Sequence, residues 1–297
     1  MDSPISLIFP VLAAIFYGSQ YIPQKKLSKV NTNNYNLSMT FGILITTLGF
    51  FSCLFLTDQT LNFIPIIFAV IGGIIWQMGN GFSLIAIEAI GMSKTASLLN
   101  LVSIFSFIFG LFFFSEEVNV LKIIGLPIIV SGAIIITLTR KEDTKKFNWK
   151  GIASVIISAF LISIFNVFSV ESMASRIYPT IPYFTATFFL SVGAVIGSLL
   201  SNFRIRKIKN WVYEGKKFHL YALLAGFIWS CGILLTSYTL ANYGLSFGVP
   251  IIQTVMAIIS AIWGIVYFKE INDKKNIIQF FIGLIISIVG IFLFGIS

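Results

Sequence analysis

Charged side chains are scarce in this sequence. Only 11 of its 297 residues are Asp or Glu, and charged residues of both signs together make up 10%. A soluble protein of this length needs far more charge to cover its surface. The 57% hydrophobic content and the mean hydropathy of +0.94 therefore exclude an ordinary soluble domain and indicate a membrane protein.

Histidine and cysteine are nearly absent as well. The chain has one histidine, His219, and its two cysteines, Cys53 and Cys231, both fall within apolar runs. These few residues suggest neither a disulfide framework nor a metal site, and they leave histidine-based catalysis almost no groups to use. The H-E-x-x-H, Walker and G-x-S-x-G patterns are also missing from the sequence. We therefore expect a protein that is not an enzyme and needs no metal or cofactor.

Long apolar runs recur from one end of the chain to the other. About 20 apolar residues are enough for a helix to cross a hydrocarbon core of roughly 30 Å. The runs predict an all-α integral membrane protein with ten transmembrane helices, near 4–24, 34–56, 62–87, 93–114, 119–139, 149–171, 180–201, 218–241, 245–268 and 275–295. The first run lacks the basic lead-in and cleavage site of a signal peptide, so we expect it to be a retained span.

The basic residues are distributed unevenly between the two sets of alternate connections. Of the 20 Lys and Arg residues, 18 fall in one set, and only Lys122 and Arg176 fall in the other. Because basic residues near span ends favour the cytoplasm, this bias predicts that both termini lie on the outer side of the membrane. The net charge of +9 then needs no nucleic-acid partner to explain it.

An internal repeat organises the chain. The segment IGGIIWQMGNGFSLIAIEAIGMSKTASLLN at 71–100 matches AGFIWSCGILLTSYTLANYGLSFGVPIIQ at 225–253 without a gap. The matching pairs, all 153 residues apart, are Gly73 and Gly226, Trp76 and Trp229, Gly79 and Gly232, Gly91 and Gly244, Ser93 and Ser246, and Asn100 and Gln253. Each copy has an odd number of spans, which predicts two inverted five-helix repeats at 1–140 and 148–297, joined by a cytoplasmic linker at 141–147.

Three short motifs carry a resemblance to a known family. They are YGSQYIPQKK at 17–26, GGIIWQMGN at 72–80 followed by IGMS at 90–93, and GLFFFSE at 110–116. With its ten spans in two halves, the chain resembles the glucose/ribose and rhamnose porter branch of the drug/metabolite transporter superfamily over nearly its whole length. The resemblance implies uptake of a sugar or a related polyol, with proton coupling as an option.

Polar and aromatic side chains inside the spans are the candidates for substrate binding. Polar groups at this depth are costly unless they face a bundle interior or a water-filled cavity. Amides can bond sugar hydroxyls, and aromatic rings can stack on the apolar face of a pyranose. The candidates are Tyr17, Gln20, Trp76, Gln77, Asn80, Asn100, Asn166, Trp229, Tyr238 and Gln253, with the repeat-matched Asn100 and Gln253 foremost. An alternative role for the amides is to hold neighbouring helices together.

Carboxylates are missing from the centres of the spans. Only Glu88 and Glu171, near span ends, are candidates for coupling transport to a cation, so we expect transport driven mainly by the substrate gradient. At the end of span four, Glu116 and Glu117 can cap the next helix or pair with Lys122.

The sequence thus predicts a secondary transporter that moves a small neutral polar solute by alternating access. Inverted repeats supply two arrangements of similar energy, one open to each side of the membrane. The low charge within the spans favours a sugar or polyol as the solute. Export of amino acids or other small metabolites stays open as the alternative. The expected setting is a lipid bilayer, in particular the plasma membrane, with the protein as a monomer or a homodimer.

Overall fold

The computed structural model describes residues 8–27, 32–52, 62–90, 95, 98–117, 119–138, 149–175, 179–204, 214–263, 267–268 and 274–295. Apart from turns and short connections, these residues are helical. The helices are α1 (Ile8–Ser19), α2 (Tyr21–Lys25), α3 (Thr32–Ser52), α4 (Phe63–Ile90), α5 (Leu101–Phe114), α6 (Val120–Leu138), α7 (Trp149–Ala174), α8 (Tyr183–Arg204), α9 (Lys216–Tyr243), α10 (Leu245–Ile262) and α11 (Lys274–Gly295).

A helix lies at each of the ten predicted positions, with α1 and α2 sharing the first. Within the described residues, five of the helices are long and apolar enough to cross a membrane, namely those at 63–83, 149–174, 183–200, 216–243 and 274–291. Helices α5, α6 and α10 contain shorter apolar stretches. Large apolar side chains such as Ile45 and Phe112, 63% and 81% exposed, face outward from the bundle. Outward-facing apolar groups on long apolar helices are what a lipid environment requires, so the chain is an integral membrane protein.

One predicted span differs in detail. The sequence places a continuous helix at 93–114, whereas α5 begins at Leu101, after a turn at Asn100. The Ser103 amide donates to the Asn100 carbonyl at 3.0 Å, which is the tighter spacing of a 3₁₀ turn. Hydropathy could not reveal this break, because the residues on both sides of it are equally apolar.

The first and second halves of the chain are interleaved. Helix α4 packs chiefly on α7 and α8, while α9 packs chiefly on α1 and α3. Helices α5 and α10 pack together, as do α6 and α11, so every one of these contacts joins the two halves. The linker predicted at 141–147 lies outside the described residues.

Glycines permit the closest of these approaches. A Cβ on Gly73 in α4 would collide with the Leu190 carbonyl oxygen of α8. A Cβ on Gly226 in α9 would collide with the Met39 carbonyl oxygen of α3. In hydrocarbon, where apolar surfaces gain little by meeting each other, close backbone packing of this kind drives helix association.

Hydroxyl groups supply the second kind of contact between helices. The Thr47 hydroxyl of α3 donates to the Ser191 hydroxyl of α8 at 2.7 Å, and those of Ser83 in α4 and Ser158 in α7 lie 2.6 Å apart. Many buried hydroxyls also bond a carbonyl three or four residues earlier in their own helix, as Thr254 does with Pro250 at 2.8 Å. Most short polar side chains in these contacts are therefore hydrogen-bonded inside an otherwise apolar bundle.

Candidate functional site

Two tryptophans from matching positions of the repeat meet in the middle of the bundle. Trp76 of α4 and Trp229 of α9 have ring centroids 4.5 Å apart at an interplanar angle of 45°. Both are almost fully buried, at 7% and 4% exposed. Gly73 and Gly226, one turn before each tryptophan, let α4 and α9 sit close to α8 and α3, which fixes where the two indoles point.

Tyr17 extends this aromatic centre toward α1. Its ring lies 6.1 Å from that of Trp229 and rests on Gly232, where a Cβ would come within 2.7 Å of the tyrosine ring. The Tyr17 hydroxyl faces Thr236, one turn further along α9. Aromatic rings from α1, α4 and α9 therefore meet at one place, together with the apolar side chains of Ile43 and Phe165.

Several buried polar atoms near these helices have no hydrogen-bond partner. They include Gln20 Oε1 at the turn between α1 and α2, and the hydroxyl of Ser237 on α9. Buried polar atoms in folded proteins are normally bonded, so unpaired ones suit a ligand or water molecules. Gln77 Oε1 is also unpaired, and its Cβ lies beside Gly197 of α8.

Two of the candidate amides bond neighbouring helices. Asn80 Nδ2 of α4 donates to Asn36 Oδ1 of α3 at 2.8 Å. Asn166 Nδ2 of α7 donates to the Ser106 hydroxyl of α5 at 3.2 Å. These contacts are the helix-joining role that the sequence left as an alternative, and they give Asn80 and Asn166 a structural function at least.

Asn100 and Gln253 lie on different elements of the bundle. Asn100 is 4% exposed and forms the turn before α5, where its neighbours Leu99 and Leu101 pack toward α7 and α9. Gln253 is half-buried on α10, three residues after Pro250, and the adjacent Ile252 packs on α1 beside Tyr17. The two residues match in the sequence repeat, but their local backbones differ. Asn100 lies at a helix break, whereas Gln253 lies within a helix.

The remaining candidates lie nearer the helix ends. The Tyr238 ring packs on Phe9 at 4.3 Å and on Tyr183 at 5.7 Å between centroids, near the end of α9. Glu171 is in the last turn of α7, with Oε2 buried and unpaired. Glu88 belongs to α4, and its side chain lies outside the described part of the chain. In the described residues, His, Cys, Asp and Glu form no group of three that could hold a metal ion.

Glu116 makes a contact that the sequence did not suggest. Its carboxylate accepts from the Leu245 and Ser246 amides at the start of α10, at 2.6 and 2.8 Å, instead of capping the helix that follows it. The Lys122 ammonium donates to the Glu117 carbonyl at 2.9 Å. The sequence offers no signal that pairs residues so far apart. It only places both on the same face of the membrane in the predicted topology.

Comparison with known proteins gives full-length matches. The family model described as "Sugar transport protein" matches residues 8–297. A probable glucose uptake protein GlcU of Priestia megaterium is 26% identical over 99% of both chains, and glucose uptake protein GlcU of Bacillus subtilis (strain 168) is 25% identical over 99% of both. The GlcU protein of Staphylococcus xylosus is 26% identical over 96% of both.

A solved structure has the same fold. This crystal structure of a protein aligns with a TM-score of 0.73 and 12% identity over 98% of this chain and 96% of its own. At that identity the likeness concerns the fold alone. The family model, in contrast, spans nearly the whole sequence and confirms the resemblance carried by the three motifs. The chain belongs to the sugar transport protein family, whose members are membrane transporters and not enzymes.

Proposed function

We propose that this protein is a secondary transporter that takes up a neutral sugar or polyol by alternating access. The observation that carries the proposal is the aromatic centre of Trp76, Trp229 and Tyr17, built from helices of both halves and bordered by unpaired polar atoms. An aromatic surface beside hydroxyl and amide groups matches a sugar, which has apolar C–H faces and a rim of hydroxyls. The names of the full-length relatives agree with this substrate class.

The proposed architecture is ten transmembrane helices in two inverted repeats, 1–140 and 148–297. Reciprocal packing supports it: Gly73 contacts the Leu190 carbonyl of α8, and its repeat mate Gly226 contacts the Met39 carbonyl of α3. Trp76 touches its own repeat mate, Trp229, as residues on a two-fold axis would. An axis at this point puts the substrate midway between the halves, where helix movements at either face can expose it to either side.

In the proposed site, the indole pair packs against the apolar face of the sugar. Gln20 and Ser237 bond hydroxyls of the solute, because their buried oxygens have no partner in the protein. Asn100 and Gln253 bond it from the α5 and α10 sides. Asn80, Asn166, Gln77 and Tyr238 contribute by holding the helices that carry these groups.

The absence of an acid among these contacts bears on energy coupling. The candidate binding residues are neutral, which suits a neutral solute, and the coupling candidates Glu88 and Glu171 belong to helices α4 and α7 away from the helix centres. We infer that the substrate gradient drives most of the flux. The proposed setting is the plasma membrane with both termini outside, in agreement with the 18 basic residues assigned to the cytoplasmic connections.

Counterflow in proteoliposomes tests the proposal. Purified protein is reconstituted with an unlabelled solute inside, and entry of the labelled solute is measured for neutral sugars, polyols, amino acids and nucleosides. We expect transient accumulation of at least one sugar or polyol and none of the amino acids. Counterflow of amino acids alone would overturn the proposal in favour of the exporter alternative.

A further inference from the structure

The Glu116 carboxylate joins the two halves of the chain by hydrogen bonds at one face of the bundle. It follows α5, the fourth span of the first half, and it bonds the first two amides of α10, in the second half. The first amides of a helix have no partner within the helix and carry partial positive charge. One carboxylate therefore satisfies two such groups and neutralises a helix end, which makes this a strong contact between the halves.

The backbone around this carboxylate is shaped to receive it. Ser115 has φ of 49° and Gly244 has φ of 81°, and only three described residues have positive φ. The Glu116 amide donates back to the Gly110 carbonyl at 3.2 Å, which turns the chain end over α5. Non-glycine residues adopt positive φ at a cost, so the surrounding structure must favour this turn at Ser115.

Two glycines leave room for the carboxylate. A Cβ on Gly110 would lie 2.9 Å from Glu116 Oε2, and one on Gly244 would lie 2.6 Å from Oε1. Carbon and oxygen atoms without a bond between them need more space than this. Any other residue at either position would push the carboxylate off the two amides.

The helix end that Glu116 holds is also a place where the chain can bend. A single residue, Gly244, separates α9 from α10, and Pro250 lies within α10. The segment between them carries Leu245, Ser246 and Phe247, all at most 1% exposed. Gly244 and Pro250 are the residue types at which helices bend, so this first part of α10 can move as a unit.

We propose that Glu116 is a latch: it holds the first turn of α10 against the end of α5, and it must release that turn for the bundle to open at this face. In the proposed orientation the face is the outer one. The inference rests on the proposed alternating-access function, since a rigid scaffold would have no need to break the contact. Losing one acceptor oxygen and the charge, as in Glu116→Gln, weakens the latch and shifts the population toward the open form.

Thiol labelling measures this shift without a substrate. The reporter is Ser246→Cys in a Cys53→Ser/Cys231→Ser background, because its side chain is buried beneath the latch and the bond to Glu116 comes from its backbone. An impermeant thiol reagent is applied to intact cells. We expect Glu116→Gln to raise the labelling rate roughly tenfold, which corresponds to about 1.4 kcal/mol. The matched control is Glu117→Gln, an exposed neighbour, which should leave the rate within about twofold.

Equal labelling rates in the Glu116→Gln and Glu117→Gln variants would overturn the latch. That result would leave the transport proposal intact, since counterflow is measured separately on the unmodified protein. An absence of counterflow would refute the transport proposal whatever the labelling showed.

A cross-link gives a second test that does not depend on Glu116→Gln being stable. The pair Glu116→Cys/Ser246→Cys is joined by a short bifunctional thiol reagent that a reductant can cleave. We expect the cross-linked sample to lose at least tenfold in counterflow and to regain it after reduction. The control pair, Glu117→Cys/Lys122→Cys, joins neighbours within the first half and should keep its activity. Unchanged counterflow in the cross-linked Glu116/Ser246 pair would overturn the latch.

Discussion

At the scale of single residues, some candidate side chains form hydrogen bonds within the protein, and others have buried polar atoms without a hydrogen-bond partner. Asn80 and Asn166 each donate to a side chain on another helix. Gln20 and Ser237 have buried oxygens without a partner. A polar atom buried without a partner is costly. In the proposed site, the hydroxyls of a solute would supply the hydrogen bonds that these unpaired oxygens lack.

Asn100 and Gln253 can be tested by removing their amides. If each bonds a buried hydroxyl of the solute, Asn100→Leu or Gln253→Leu costs about 1–3 kcal/mol, or roughly five- to more than a hundredfold in affinity. Equilibrium binding of the transported solute to purified protein measures the loss. Asn166→Leu is the control, because its bond to Ser106 predicts lower thermal stability with little change in affinity. Unchanged affinity in both amide variants would remove the pair from the site and leave Trp76 and Trp229 as its main contacts.

Energy coupling can be tested at the two acids near span ends. The double variant Glu88→Gln/Glu171→Gln removes both candidate proton carriers while keeping similar side-chain volumes. We expect exchange of the solute across proteoliposome membranes to stay within about threefold of the unmodified protein, because neither group is among the proposed solute contacts. Counterflow at several pH values provides the measurement. Complete loss of exchange would show that one of these acids is essential to the transport cycle.

At the scale of helices, close backbone contact explains where the aromatic centre lies. Gly73 on α4 and Gly226 on α9 meet carbonyl oxygens of the opposite half one turn before Trp76 and Trp229. A larger residue would separate the helices and carry the indoles apart. The same helices are apolar on the outside, so lipid gives them no preferred partner, and packing of small residues decides which helices associate.

Two glycines of α4 make a matched pair for testing this packing. A Cβ at Gly73 meets backbone atoms of α8, which cannot move aside, whereas a Cβ at Gly81 meets nothing within 4 Å. We expect Gly73→Ala to destabilise the protein by about 1–3 kcal/mol. Gly81→Ala should be neutral or stabilise by up to about 1 kcal/mol, because alanine favours the helix. Thermal unfolding in detergent compares the two, and equal stability would contradict the close approach of α4 to α8.

At the scale of the whole molecule, nearly all strong contacts run between the halves and few run within them. Helix α4 packs on α7 and α8, α9 packs on α1 and α3, and α6 packs on α11. Such interleaving means that neither half is a separate body on one side of a cleft. In the proposed alternating-access cycle, opening at each face would then require bending or sliding of individual helices. The proposed release of α10 by Glu116 is a motion of this kind.

Membrane orientation is a property of the whole chain, and two exposed glutamates report on it. Glu117 follows α5 and Glu214 precedes α9, on opposite faces in the proposed topology. In a cysteine-free background, Glu117→Cys should react with an impermeant reagent in intact cells, and Glu214→Cys should react only after permeabilisation. The reverse pattern would invert the topology and move the Glu116 latch to the cytoplasmic face.

The sequence by itself determined the class of this protein and the approximate positions of its helices. Hydropathy and helix length are local properties, so ten apolar runs predicted a helix at every position where the structure has one. The motifs at 17–26, 72–80 and 110–116 were enough to indicate the family. The repeat pointed to Trp76 and Trp229 as related residues, but it could not say that their rings touch.

Only the tertiary structure decided which residues meet. The contact of Trp76 with Trp229, the bond from Asn80 to Asn36 and the capping of α10 by Glu116 each join residues distant in sequence. Such contacts depend on which faces of two helices pack together, and in a membrane every helix is apolar on most of its surface. Hydrophobic patterning therefore carries little information about which helices pack together. Close contacts at glycines and short polar side chains determine the helix partners instead.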